Sequence, residues 1–120
     1  MPKFIAELGT NHNGSLDRAI KLVSAAKYCD FDAVKVQVFD PDRMFRDRVC
    51  EMLPCQLDWL PTLKDKAHEL GMEFGATVCN VDLVEKAAEY CDFLKIGSYE
   101  LLCMDLIKTC AATRLPLILS

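Results

Sequence analysis

Five short runs of near-continuous apolar residues recur along the chain, at residues 4–8, 33–39, 73–79, 93–97 and 115–119. They are rich in Val, Ile and Phe, the pattern of strands buried on both faces. Helical periodicity fills the gaps. Ser15 is placed to cap a helix whose Leu16, Ala19, Ile20, Val23 and Ala26 recur every 3.6 residues. Asp58 is placed to cap the next, with Pro61 in its first turn, where a missing N–H costs little. Leu60, Leu63, Ala67 and Leu70 form that stripe, and Gly71 closes it. Asn80 or Asp82 opens a third helix, with Val84, Ala87, Ala88 and Cys91 inward. A fourth carries Leu102, Leu106, Ile107, Cys110 and Ala111, and Pro116 follows it.

Strict β/α alternation predicts an α/β fold with a parallel sheet and right-handed crossovers. The longest connection, residues 40–56, follows the second strand, and no low-complexity linker divides the chain. One domain is predicted over residues 1–120. Two closures fit: a complete five-stranded doubly wound sheet, or the first five strands of a (β/α)₈ barrel. The chain ends on an apolar strand with no helix after it, which favours a truncated half barrel.

Polar residues inside the strand runs carry the functional signal. In Val34-Lys35-Val36-Gln37-Val38, alternation puts Lys35 and Gln37 on one face and the valines on the other. Lys95 likewise opposes Leu94 and Ile96. A buried ammonium needs an anion or must neutralise. In a barrel, alternate strands supply one interior layer, so Lys35 and Lys95 would converge on a phosphate or carboxylate. The competing reading has each lysine reaching solvent at a strand end. Glu7 lies late in the first strand, Thr77 ends the third, and Ser98 and Glu100 follow the fourth. Polar groups at successive C-terminal strand ends are where barrels keep their chemistry. Asn11, His12 and Asn13, between glycines, are better read as a capped turn. His68 is expected on a solvated helix face, and Trp59 and Phe45 as packing residues.

Composition narrows the function. Hydrophobic residues make up 52% of 120, enough for a core. The net charge of −4 and scattered lysines and arginines leave no footprint for nucleic acid or an anionic membrane. No apolar run approaches the ~20 residues of a membrane span. The N-terminus does not read as a signal peptide. Seven cysteines, an odd number without a CxxC pair, argue against metal spacing and a disulfide framework. Most read as small core hydrophobes in a reducing, cytoplasmic compartment.

The segment Phe4-Ile5-Ala6-Glu7-Leu8-Gly9-Thr10-Asn11-His12-Asn13-Gly14 resembles the opening signature of N-acetylneuraminate (sialic acid) synthase-type proteins. Lys35-Val36-Gln37, Lys95-Ile96-Gly97-Ser98-Tyr99-Glu100 and Pro116-Leu117-Ile118-Leu119-Ser120 resemble its second, fourth and fifth strand segments, in register. The resemblance implies the N-terminal half of a (β/α)₈ barrel. It implies condensation of phosphoenolpyruvate with an N-acetylated amino-sugar aldehyde, giving a nonulosonic acid and phosphate. By position, Lys35, Thr77, Lys95, Ser98 and Ser120 match residues that hold phosphoenolpyruvate. Gln37 and Glu100 match groups near the sugar and reacting carbons, and Glu7 the acidic residue of the first strand. These three are the catalytic candidates. A divalent metal (Mn or Mg) and a homo-oligomer are implied as well. The family's metal histidines fall beyond Ser120 and His12 is not among them, so no metal ligand is assigned here. Two departures stand out: Gly75-Ala76-Thr77-Val78-Cys79 replaces the family's Ser-Thr-Pro-Phe, and Tyr99 stands where many members carry Gly. Outside this reading lie a Schiff-base barrel aldolase using Lys35 or Lys95, and a non-catalytic half-barrel module.

Overall fold

The computed structural model describes residues 1–44 and 52–120, so Phe45 and Cys50, both expected to pack, lie outside the described residues. Five parallel strands form one sheet: β1 (Ile5–Gly9), β2 (Ala33–Val38), β3 (Glu73–Val78), β4 (Phe93–Ile96) and β5 (Leu117–Leu119). Helices alternate with them: α1 (Leu16–Tyr28), a short α2 (Pro41–Met44), α3 (Leu60–Glu69), α4 (Val81–Ala88) and α5 (Met104–Ala112). Strand order is β1-β2-β3-β4-β5. A doubly wound sheet reverses its order at a switch point, whereas a barrel adds each strand beside the last. The unbroken order therefore makes this the first five strands of a (β/α)₈ barrel. None of the described helices is long and apolar enough to cross a membrane.

Alternation sorts the two sheet faces as expected. Val34, Val36, Val38, Phe74, Leu94 and Ile96 are buried in one core with Val23, Leu63, Val84 and Leu106 of the helices. Several local expectations hold. Ser15 accepts the Arg18 N–H at the start of α1, and Gly71 sits at φ +72° just past α3. Others do not. Asp58 caps no α-helix: it lies in a 3₁₀ turn, Leu57–Trp59, and α3 begins at Leu60 with Pro61 in its first turn. Asn80 does open α4 as its N-cap residue, as expected, although its side-chain oxygen accepts the Asp40 N–H, 2.9 Å away, in place of a helix N–H. Leu102 and Ala111 are exposed, because α5 starts only at Met104 and turns Leu106 and Cys110 inward. Cys29 and Cys103 are exposed too, while Cys55, Cys91 and Cys110 fit the core reading.

The N-terminal ends of the strands are tied by carboxylates. The Phe4 N–H donates to Asp32 Oδ2 at 2.7 Å, and the Phe74 N–H donates to Asp92 Oδ2 at 2.8 Å. The same Asp92 oxygen lies 2.7 Å from His68 Nε2, so His68 is exposed but not merely solvated. Asp92→Ala strips a part-buried N–H of its acceptor and should cost about 1–2 kcal/mol in urea denaturation.

Gly75 has a steric task. It faces Phe93 across β3 and β4, and a Cβ there would fall 2.3 Å from Phe93 Cζ. The ring fills the space a side chain would need. Gly75→Ala must push the ring aside and should cost about 1–3 kcal/mol as overpacking. A variant melting with the parent protein would refute this fit.

Candidate active site

The register assembles the polar face in two rows. Glu7, Lys35, Gly75 and Phe93 are successive partners in one, and Gln37, Thr77, Lys95 and Ile118 in the next, nearer the C-terminal ends. Pairing without a slip from β2 to β4 puts Gln37, Thr77 and Lys95 side by side. A cleft of ≈ 230 Å³ opens above them, lined by Gln37, Thr77, Cys79, Lys95, Gly97, Ser98, Tyr99, Glu100 and Ser120. Six of the eight predicted site residues line it. Glu7 and Lys35 sit in the row below and reach it through Thr77. A larger groove between α4 and α5, ≈ 490 Å³, is lined by no cation.

Lys35 is only 4% exposed. Its ammonium pairs with the Glu7 carboxylate and donates to the Thr77 hydroxyl. A hydroxyl that accepts from an ammonium keeps its own proton free to donate, so Thr77 is a polarised donor at the cleft floor. Burial pushes the Lys35 pKa down, and nearby Lys95 adds to this; pairing with Glu7 opposes it. Cys79 comes to the same place, but burial, and then the Glu100 charge, push its thiol up to about 11. It is a neutral wall, not a nucleophile. Gly97 leaves room for the acid: a Cβ there would lie 2.6 Å from Glu100 Oε2.

Two features escaped sequence reasoning. His12 is fully buried between exposed Asn11 and Asn13. It accepts the Gly14 N–H at Nδ1, 3.1 Å, and meets Trp59 edge-on with ring centroids 5.3 Å apart. Burial lowers its pKa, so it holds the loop as a neutral ring. Its neighbours are those of any turn, and no local pattern marks it as core. Cys79 is the second: its side chain follows the strand's alternation past Val78, a signal visible in the sequence but hidden by reading it as a departure only.

The family model described as the NeuB family matches residues 22–120. The chain belongs to the NeuB family. This NeuB-family chain is 32% identical to the spore coat polysaccharide biosynthesis protein SpsE of Bacillus subtilis, over 97% of its own length and 36% of the relative's. It is 33% identical to the N,N'-diacetyllegionaminic acid synthase of Legionella pneumophila, over 97% of its length and 38% of that protein. A crystal structure of a sialic acid synthetase from Leptospira borgpetersenii, in complex with citrate, superposes with a TM-score of 0.91 at 25% identity, over 99% of this chain and 44% of that one. The chain thus spans about two-fifths of the length of such relatives.

Proposed function

We propose that the full-length protein condenses phosphoenolpyruvate with an N-acetylated amino-sugar aldehyde, yielding a nonulosonic acid and phosphate. The observation that carries this reading is the cationic row at the C-terminal strand ends: Lys95 beside Thr77, with Lys35 bound beneath and the Ser98 and Ser120 hydroxyls around one cleft. Ammonium and hydroxyl donors suit a phosphate and a carboxylate, so these five residues are assigned to phosphoenolpyruvate. Gln37 and Glu100, on the same cleft, are assigned to the sugar side. The enol carbon attacks the aldehyde carbon and forms the C–C bond, while the aldehyde oxygen takes a proton. Water then adds to the cation left at the adjacent, phosphate-bearing carbon, and the C–O bond to phosphate breaks. Glu100 is positioned to accept the proton from that water. Glu7 is assigned to proton transfer once the substrate anion has taken Lys35 from it.

A divalent metal belongs to the proposal, with ligands outside this chain. Among the described residues no group of three or more His, Cys, Asp or Glu could hold one, and no step here runs through it.

Phosphate release by the full-length protein, dependent on both substrates, tests the reading; release with neither sugar nor metal dependence would reject it. One observation favours a second reading. Lys35 is a buried lysine with a lowered pKa, as imine formation requires. Borohydride in the presence of pyruvate tests it: a covalent adduct on Lys35 would establish the imine, and no adduct would remove the aldolase reading.

A further inference from the structure

We propose that Glu7 competes with the anionic substrate for the Lys35 ammonium, so that an arriving phosphate or carboxylate takes Lys35 only by displacing the Glu7 carboxylate into solvent. The inference rests on the anion reading of the cleft and adds to it a mobile carboxylate that sets the affinity.

The two partners of the ion pair are unlike. The Lys35 side chain is 5% exposed and the Glu7 side chain 48%. Lys35 extends from the middle of β2, with the Thr77 hydroxyl holding its tip. It cannot follow a partner into water without unpacking the sheet. Glu7 can. Among the described residues its carboxylate has Lys35 as its one polar partner. It lies over Gly9, whose ideal Cβ would sit 3.4 Å from Glu7 Oε1, so no side chain there pins it down.

An ammonium has three N–H groups. Two of them are engaged, by Glu7 and by Thr77. An anion that needs more than one contact from Lys35 must take the place of Glu7. It must also overcome the repulsion of a carboxylate beside it. Both effects have one sign: with Glu7 seated, Lys35 is neutralised and only Lys95 faces the ligand with a net charge. With Glu7 displaced, two ammonium groups face it. The opposite view is equally definite. If Glu7 served chiefly to keep a buried lysine protonated, removing it would weaken anion binding.

Calorimetric titration of the full-length protein with inorganic phosphate at low ionic strength decides between them. Glu7→Gln and Glu7→Ala should both bind phosphate more tightly, by about three- to tenfold, the scale of a half-exposed competing charge. A damaged fold would loosen binding, so tightening is not a structural artefact. Phosphate bound by the parent protein and bound equally or more weakly by both variants would overturn the inference while leaving the anion site standing. Lys95→Ala serves as the control. If phosphate fails to bind the parent protein, or binds Lys95→Ala equally well, the anion site itself falls, and the inference with it.

Discussion

Lys95→Ala in the full-length protein is expected to raise the Michaelis constant for phosphoenolpyruvate roughly ten- to hundredfold, the worth of one charge-assisted contact of about 1.5–3 kcal/mol. Lys95 stands beside Thr77 in the register and lines the cleft with Ser98, Glu100 and Ser120. Its removal leaves Thr77 and Lys35 in place, since their hydrogen bond does not involve it. The loss should therefore fall on the anion and spare the sugar, whose own Michaelis constant should move little. Steady-state kinetics with each substrate varied in turn reads the difference. A phosphoenolpyruvate constant equal to that of the parent protein would remove Lys95 from the site.

Lys35→Met should reduce kcat/KM by about a hundredfold or more, since it removes a charged contact and the donor that polarises Thr77. Its effect on stability should be the reverse of what a buried position usually predicts. Met nearly matches the aliphatic stem in volume. The half-exposed Glu7 regains water, and the desolvation cost that lowers the Lys35 pKa disappears. Replacing buried charges by apolar side chains is often neutral or stabilising. The melting temperature should hold or rise while turnover is lost. pH adds a second readout. A lysine whose pKa is lowered on folding binds its proton more tightly in the unfolded chain. The Lys35 contribution to stability therefore climbs with pH up to the ordinary lysine value of 10.5. It is read as the difference between the parent protein and the Met variant, because the buried Cys55, Cys79 and Cys91 thiols, raised from 9.0, lower the stability of both above that pH. The Met variant should lack that climb. A variant that melts far below the parent at neutral pH would show that the lysine supports the fold.

Much of this architecture is legible in the chain because β/α periodicity is local and redundant. Each strand run is apolar enough to stand out, and the two lysines interrupt it at positions alternation assigns to one face. That is why Lys35, Gln37, Thr77 and Lys95 share a face as the sequence predicts. What resisted reading depends on distance in three dimensions. Glu7 sits on Lys35 because β1 and β2 pair in a particular register, with an irregularity between Glu7 and Gly9. A list of apolar runs contains no register. Asp58 looks like a cap, yet a 3₁₀ turn comes first and the helix starts two residues later. Leu102 fits a helical stripe on paper, but a second 3₁₀ turn, Ser98–Glu100, delays the helix beyond it.

The carboxylate ties from Asp32 and Asp92 to the backbone of β1 and β3 have a bearing on descent. They lie at the opposite ends of the strands from the cleft, and the apolar core lies behind the sheet. Little of what holds this half barrel together passes through the residues at the strand tips. Substitution at those tips therefore leaves the ties and the core in place, since the two rest on separate positions of the same few strands. A lineage built this way can vary its cleft without first reinventing the fold.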